Sequence, residues 1–199
     1  MALAAKDAQS LARLVSSDID PAISPMAGIM FNNNKRVEFS RKSMEKYFKG
    51  SIQSPWDDIA ITLTQVIAYQ LDKNNSQAHL EQAALTNHYF RFFINQTKWS
   101  LPALFTILID LRTLADKADI EASQKMQKSD ALEDAARICN KAFTNCLIDR
   151  INPPNQTRKW GTYRTVGLVL KCYFKTERIA LAKNVLRAIS AQPDLAPLT

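Results

Sequence analysis

"KWSLPALFTILIDLRTLADKAD", residues 98–119, decides the fold. Leu101, Leu104, Phe105, Leu108, Leu111 and Ala115 make one stripe at helical spacing, while Ile107, Ile109 and Leu114 lie off it. A helix apolar on most of its circumference is enclosed on most of it, so residues 101–118 are expected to form the buried centre of a core. Ser100 can cap this helix, and Pro102 stands in the first turn, where its missing amide is no loss. Asp110 and Arg112 sit inside it, two residues apart and pointing in different directions, so they cannot pair with each other. Each is expected to bond to a neighbouring helix, because a buried unpaired charge is costly.

Working outward, the same period recurs. "SPWD" offers Ser54 as N-cap, Pro55 at the first helical position and Asp57 at the positive helix end, opening a helix to about residue 71. "KNNS" turns the chain, and a second helix spans residues 77–97, with Leu80, Ala84, His88 and Phe92 flanked by Leu85, Tyr89 and Phe93. After residues 101–118, "IEASQKMQKSD" reads as a polar loop, and Asp130 caps a helix to residue 148. "NPPNQT" interrupts, then "RKWGTYRTVGLVLKCYFKTERIALAKNVLRAI", residues 158–189, supplies two helices broken near Thr176 and ended by Pro193. Upstream, residues 2–17 form a short helix, "DIDPAISPMAGIMFNNNKR" is a loop or linker, and residues 38–49 form a helix ending near Gly50.

Three helix pairs, beginning near residues 55, 101 and 157, call for a stack in which each pair buries its face on the next. The expected fold is all-α, a right-handed helical-repeat solenoid of tetratricopeptide-like class. Residues 1–53 hold an amino-terminal helix, a linker and a basic segment; residues 54–192 form the repeat domain; residues 193–199 are a tail.

The chain has 199 residues, 46% of them hydrophobic and 23% charged, enough to bury a sizeable core. Its net charge of +7 is unevenly placed. Residues 1–150 are nearly neutral, whereas residues 151–199 hold eight basic residues against Glu177 and Asp194. No apolar run reaches the ~18 residues of a membrane span. The three cysteines, Cys139, Cys146 and Cys172, are odd in number and come without a signal peptide, which points to free thiols in the nucleus or cytoplasm.

Four glycines leave little to build a phosphate cradle, and no nucleophilic triad or metal-ligand spacing appears. His79 and His88 have no acidic or cysteine partner at metal spacing, and His88, on an apolar stripe, reads as a core residue bonded to backbone. Cys139 and Cys146 lie two helical turns apart, about 10 Å of rise, too far for a disulfide. No catalytic residue, cofactor, metal or small-molecule substrate is expected. The basic stretch is the candidate contact surface: Arg158, Lys159, Arg164, Lys171, Lys175, Lys183 and Arg187. Arg164, Lys171 and Lys175 share one helical face, and Lys183 and Arg187 another. Such a face is either solvated outer surface or a contact for phosphate or an acidic protein. Trp160, Tyr163, Gly167, Leu170 and Phe174, with Ile179, Ala182, Leu186 and Ile189, are expected to form the opposite, packing stripes. Nucleic acid would then be held weakly, by charge alone.

Two stretches also resemble a known family. Residues 98–119 carry W-x-L-P, D-L-R and A-D, and residues 158–189 carry K-W-G, Y-F-K and R-A-I, resembling PCI-domain proteins of the mRNA-export branch, the signalosome-subunit-twelve type. The resemblance spans residues 54–192. It implies a helical-repeat segment leading into a winged helix, with a scaffolding and non-enzymatic role. A larger scaffold subunit and a small acidic subunit are the implied partners, in complexes that couple transcription and mRNA processing to nuclear export and bind nucleic acid through a combined basic surface. Family members continue past "RAI", whereas this sequence stops at "PDLAPLT", so it is expected to be the amino-terminal half without the winged helix. The alternative is a self-sufficient basic helical module that binds nucleic acid.

Overall fold

A computed structural model describes residues 5–32 and 40–192. Among these residues every regular element is a helix, with no strand beyond an isolated bridge between Lys49 and Ile52. The helices are α1 (Ala8–Leu14), α2 (Pro25–Asn32), α3 (Arg41–Phe48), α4 (Trp56–Leu71), α5 (Asn75–Phe93), α6 (Leu101–Gln124), α7 (Ala131–Leu147), α8 (Thr162–Lys175) and α9 (Ile179–Ser190). Short 3-10 turns, Lys98–Ser100 and Arg158–Gly161, lead into α6 and α8. The basic residues Lys35 and Arg36, and Pro193 with the rest of the tail, lie outside the described residues.

From α4 to α9 each helix packs on the next, and α5 meets α7 as α6 meets α8, which makes the stack an all-α helical repeat. The helix α6 is its centre. Leu104, Ile107, Leu108 and Leu111 are fully enclosed, and α1, α5, α7 and α8 all pack on it. Leu11 and Val15 from the amino-terminal segment join the same core, so residues on both sides of position 53 share one interior.

Several boundaries differ from expectation for identifiable reasons. Residues 25–32 form a helix rather than a linker: Pro25 needs no amide partner in a first turn, and Ala27 and Met30 bury against the core. At α4, Pro55 and not Ser54 is the N-cap, after a cis Ser54–Pro55 bond, with Asp57 and Asp58 in the first turn. Asn74 caps α5, its Oδ1 accepting from Gln77 N at 3.2 Å, so that helix starts earlier than residue 77 and ends at Phe93. The expected loop after Ala118 instead begins as helix, because Ala118 and Ala122 keep the buried stripe going in small residues. Glu121 fastens this extension by accepting from Asn75 N at 3.1 Å and from Lys125 Nζ at 2.7 Å. Neither Ser100 nor Asp130 makes a side-chain capping bond, though each stands at the N-cap position.

Candidate interaction surface

The helix α8 takes its position from the turn before it. A Cβ placed on Gly161 would lie 2.5 Å from Leu101 Cδ2 and 3.1 Å from Cys146 Sγ, so any larger residue would have to displace Leu101 for this turn to sit against α6 and α7. Asp149, with no exposed side chain, is the anchor. It accepts from Arg158 N at 2.7 Å, from Thr157 Oγ1 at 3.0 Å and from Asn152 Nδ2 at 3.0 Å. Burial alone would raise its pKa, but these bonds outweigh burial and hold the carboxyl well below the usual carboxylate range. Arg158 completes the anchor. Its Nη1 donates to the carbonyls of Phe93 at 3.3 Å and Ile94 at 2.9 Å, and its guanidinium lies 5.3 Å over the Phe93 ring. Arg158, expected among the contact residues, is therefore a buried tie between this turn and the end of α5. Its membership of the basic stretch, which put it among the surface cations, carries no sign of Asp149, nine residues earlier.

The other expected contact residues lie on the surface. Lys159 is half-buried, while Arg164, Lys171, Lys175, Lys183 and Arg187 are exposed. Arg164 lies 4.5 Å over the Phe105 ring. Lys175 Nζ is 2.6 Å from Asp116 Oδ1, and the other oxygen of Asp116 accepts from Arg112 Nη1 at 3.0 Å. Arg112 thus bonds within its own helix, against the expectation of a cross-helix partner. Asp110 does reach outside: its Oδ2 accepts from Ser17 N at 2.9 Å and Ser17 Oγ at 3.2 Å. Burial pushes the Asp110 pKa up to about 6. Arg178 pairs with Glu133 at the rim of an open cleft of about 470 Å³ between the start of α7 and the α8–α9 turn. Among the described residues, Arg164, Lys171, Lys183 and Arg187 make no ion pair.

The packing stripe is where the structure corrects the sequence most. Trp160 is 46% exposed, Tyr163 43% and Phe174 55%, so these aromatics do not pack inward. What α8 buries is Thr162, Thr165, Val166, Leu168, Val169, Cys172 and Tyr173. Thr165 is admitted to that interior because its hydroxyl is satisfied locally, Oγ1 donating to Gly161 O at 3.0 Å and Thr162 O at 2.8 Å, whereas the buried Thr162 Oγ1 finds no hydrogen-bond partner among the described residues. At about 100° per residue, Tyr163, Gly167, Leu170 and Phe174 run beside Arg164 and Lys171 rather than opposite them. On α9, Ala182 and Val185 are buried, while Ile179 and Leu186 remain exposed near Lys183 and Arg187. The exposed sides of both helices of the last pair are thus apolar and cationic at once, with aromatic rings on that of α8.

The remaining candidates are structural. His79, not His88, is the enclosed histidine, and burial lowers its pKa. His88 is half-buried, with Nδ1 3.5 Å from Asp58 Oδ2 instead of a backbone bond. All three cysteines are free and buried. Cys139 and Cys172 hydrogen-bond to each other, which with burial raises the Cys139 pKa; burial pushes Cys146 up to about 12. Among the described residues no group of three His, Cys, Asp or Glu could hold a metal ion, and no helix is long and apolar enough to cross a membrane.

The architecture is that of an all-α helical-repeat protein. Curated relatives make it more particular. The chain is 32% identical to Protein CSN12 homolog of Mycosarcoma maydis, over 73% of this chain and 40% of the relative. It is 34% identical to Protein CSN12 homolog of Schizosaccharomyces pombe, over 73% and 38%. It is 27% identical to PCI domain-containing protein 2 of Xenopus laevis, over 75% and 38%. No family model and no solved structure matches. The chain belongs to the CSN12-like family of PCI-domain proteins, and it spans about two fifths of the length of these relatives.

Proposed function

We propose that this chain serves as a non-enzymatic scaffold subunit of a PCI-type complex linking transcription and mRNA processing to nuclear export, working in the nucleus and cytoplasm. Its partners in this reading are a larger scaffold subunit and a small acidic subunit, with no cofactor and no small-molecule substrate. The observation that carries it is the similarity to CSN12 homologues across the helical repeat. The exposed sides of α8 and α9, apolar and cationic at once, support it as surface suited to a macromolecule. Purification of the tagged full chain from its native cells tests it directly. A scaffold retains stoichiometric protein partners after nuclease treatment; loss of every associate on nuclease treatment contradicts the scaffold reading.

A nucleic-acid contact is the second reading, and the structure strengthens one premise of it. Exposed Trp160, Tyr163 and Phe174 offer rings for base stacking, which inward-packed rings would not. In this reading Lys171, Lys183 and Arg187 supply attraction to phosphate that falls steeply with salt.

A further inference from the structure

Gly167 lies in the middle of α8, where glycine weakens a helix relative to alanine. Nothing inside the protein asks for it: a Cβ there would meet no atom within 4 Å. Gly161 is the contrast, since its missing side chain makes room for Leu101 and Cys146. Around Gly167 stand Tyr163 one turn before, Leu170 nearly one turn after and Phe174 two turns after. Tyr163 and Phe174 are exposed and Leu170 is partly so. The outer side of α8 is therefore a notch bordered by large apolar side chains, the shape into which a facing helix inserts a side chain.

We infer that Tyr163, Gly167, Leu170 and Phe174 form a docking groove for an amphipathic helix of a partner protein, one with carboxylates along the edge facing Arg164 and Lys171. The existence of a protein partner rests on the scaffold reading; the groove, its ligand class and the role of Gly167 go beyond it. Charge selects the occupant. Arg164 and Lys171 flank the groove without an ion pair among the described residues, and α9 adds Lys183 and Arg187. A second copy docked through this same face would set these cations against their own equivalents, which is unfavourable. Phosphates would satisfy the cations and bases could stack on the rings, but neither has a use for a notch at Gly167. An acidic-edged helix uses all three features: notch, rings and cations.

The test replaces Tyr163 with the photo-crosslinker p-benzoylphenylalanine in the tagged full chain, irradiates native cells and sequences the cross-linked peptide. The expected product is a protein segment with apolar residues three and four apart and Asp or Glu along one flank. Gly167→Leu, which fills the notch, should cut the yield at least about tenfold. The same variant should not lower the thermal midpoint of the parent, and leucine's better helix propensity should raise it slightly, because the space it fills is open. Lys171→Glu should reduce the yield several-fold. Cross-links to nucleic acid, to a second copy or within the same chain would overturn the groove, as would an unchanged yield or a fallen midpoint in Gly167→Leu. Partners that survive nuclease but bind Gly167→Leu normally would sink the groove while leaving the scaffold reading intact. A parent chain without protein partners would sink the scaffold reading itself.

Discussion

Two helices enter this molecule through turns of the same kind and meet opposite fates. Lys98-Trp99-Ser100 leads into α6, and Lys159-Trp160-Gly161 leads into α8, the two turns being linked by Lys98 N donating to Gln156 O at 2.9 Å. Packed by four neighbouring helices, α6 buries residues on nearly every side. Packed mainly by α6, α7 and α9, α8 turns Tyr163 and Phe174 outward. Similar aromatic and aliphatic residues thus serve as core in one helix and as surface in the other. What separates them is enclosure by neighbours, and the face available for recognition begins where enclosure ends.

The comparison can be broken most severely at the anchor of α8. Asp149→Ala removes the acceptor of three close bonds and leaves Arg158 buried without its carboxylate, so it should destabilise by about 3–5 kcal/mol in chemical denaturation. Because the Asp149 pKa is depressed in the folded state, its contribution is present above the unfolded carboxyl pKa. It is lost as pH falls through and below that value, and the variant should lack this acid-side loss. In α6, Leu108→Ala should cost roughly 2–5 kcal/mol through the cavity it leaves, whereas Phe174→Ala in α8 should stay within about 1 kcal/mol. Equal losses at the two positions would erase the distinction between the helices.

The two glycines of the α8 region sharpen the contrast on a smaller scale. Gly161→Ala forces a methyl against Leu101 and should destabilise by about 1–3 kcal/mol. Gly167→Ala meets open space and should stabilise by roughly 0.5–1 kcal/mol through helix propensity alone. Thermal melts of the pair should move in opposite directions.

A pH profile gives the subtlest effect. Burial raises the Asp110 pKa to about 6, so its contribution to stability is present below the unfolded value and lost as pH rises through about 6. Asp110→Asn can still accept from Ser17 and should remove that decline. An unchanged slope between pH 4 and about 7 would show that Asp110 is not the group responsible.

Much of this fold was legible because helical period survives in a single sequence. The stripe from Leu101 to Ala115 announces a buried helix without help from its neighbours. The stretch at Pro25–Asn32 was not legible, since Pro, Gly and Asn read as linker and its burial of Ala27 and Met30 depends on distant partners. The end of α6 was missed because Ala118 and Ala122 carry the core there, and alanine weighs little in a hydrophobic pattern. The candidate surface was half legible. Cation spacing correctly set Arg164, Lys171 and Lys175 on one side of α8, but two apolar stripes competed for the interior. The larger one, with Tyr163 and Phe174, looked like core. The stripe that won holds Thr162, Thr165 and Cys172, residues that weigh little in a hydrophobic pattern, although the Thr165 hydroxyl is satisfied within its own helical turn.

That outward placement of the aromatics is most directly tested by hydroxyl-radical footprinting of the isolated full chain, read residue by residue in a mass spectrometer. Tyr163 and Phe174 should oxidise readily, while Tyr89 and Phe93, which are fully enclosed, should be protected. Protection of Tyr163 and Phe174 to the level of Tyr89 would mean that α8 buries its aromatic stripe, and the outer face described here would not exist.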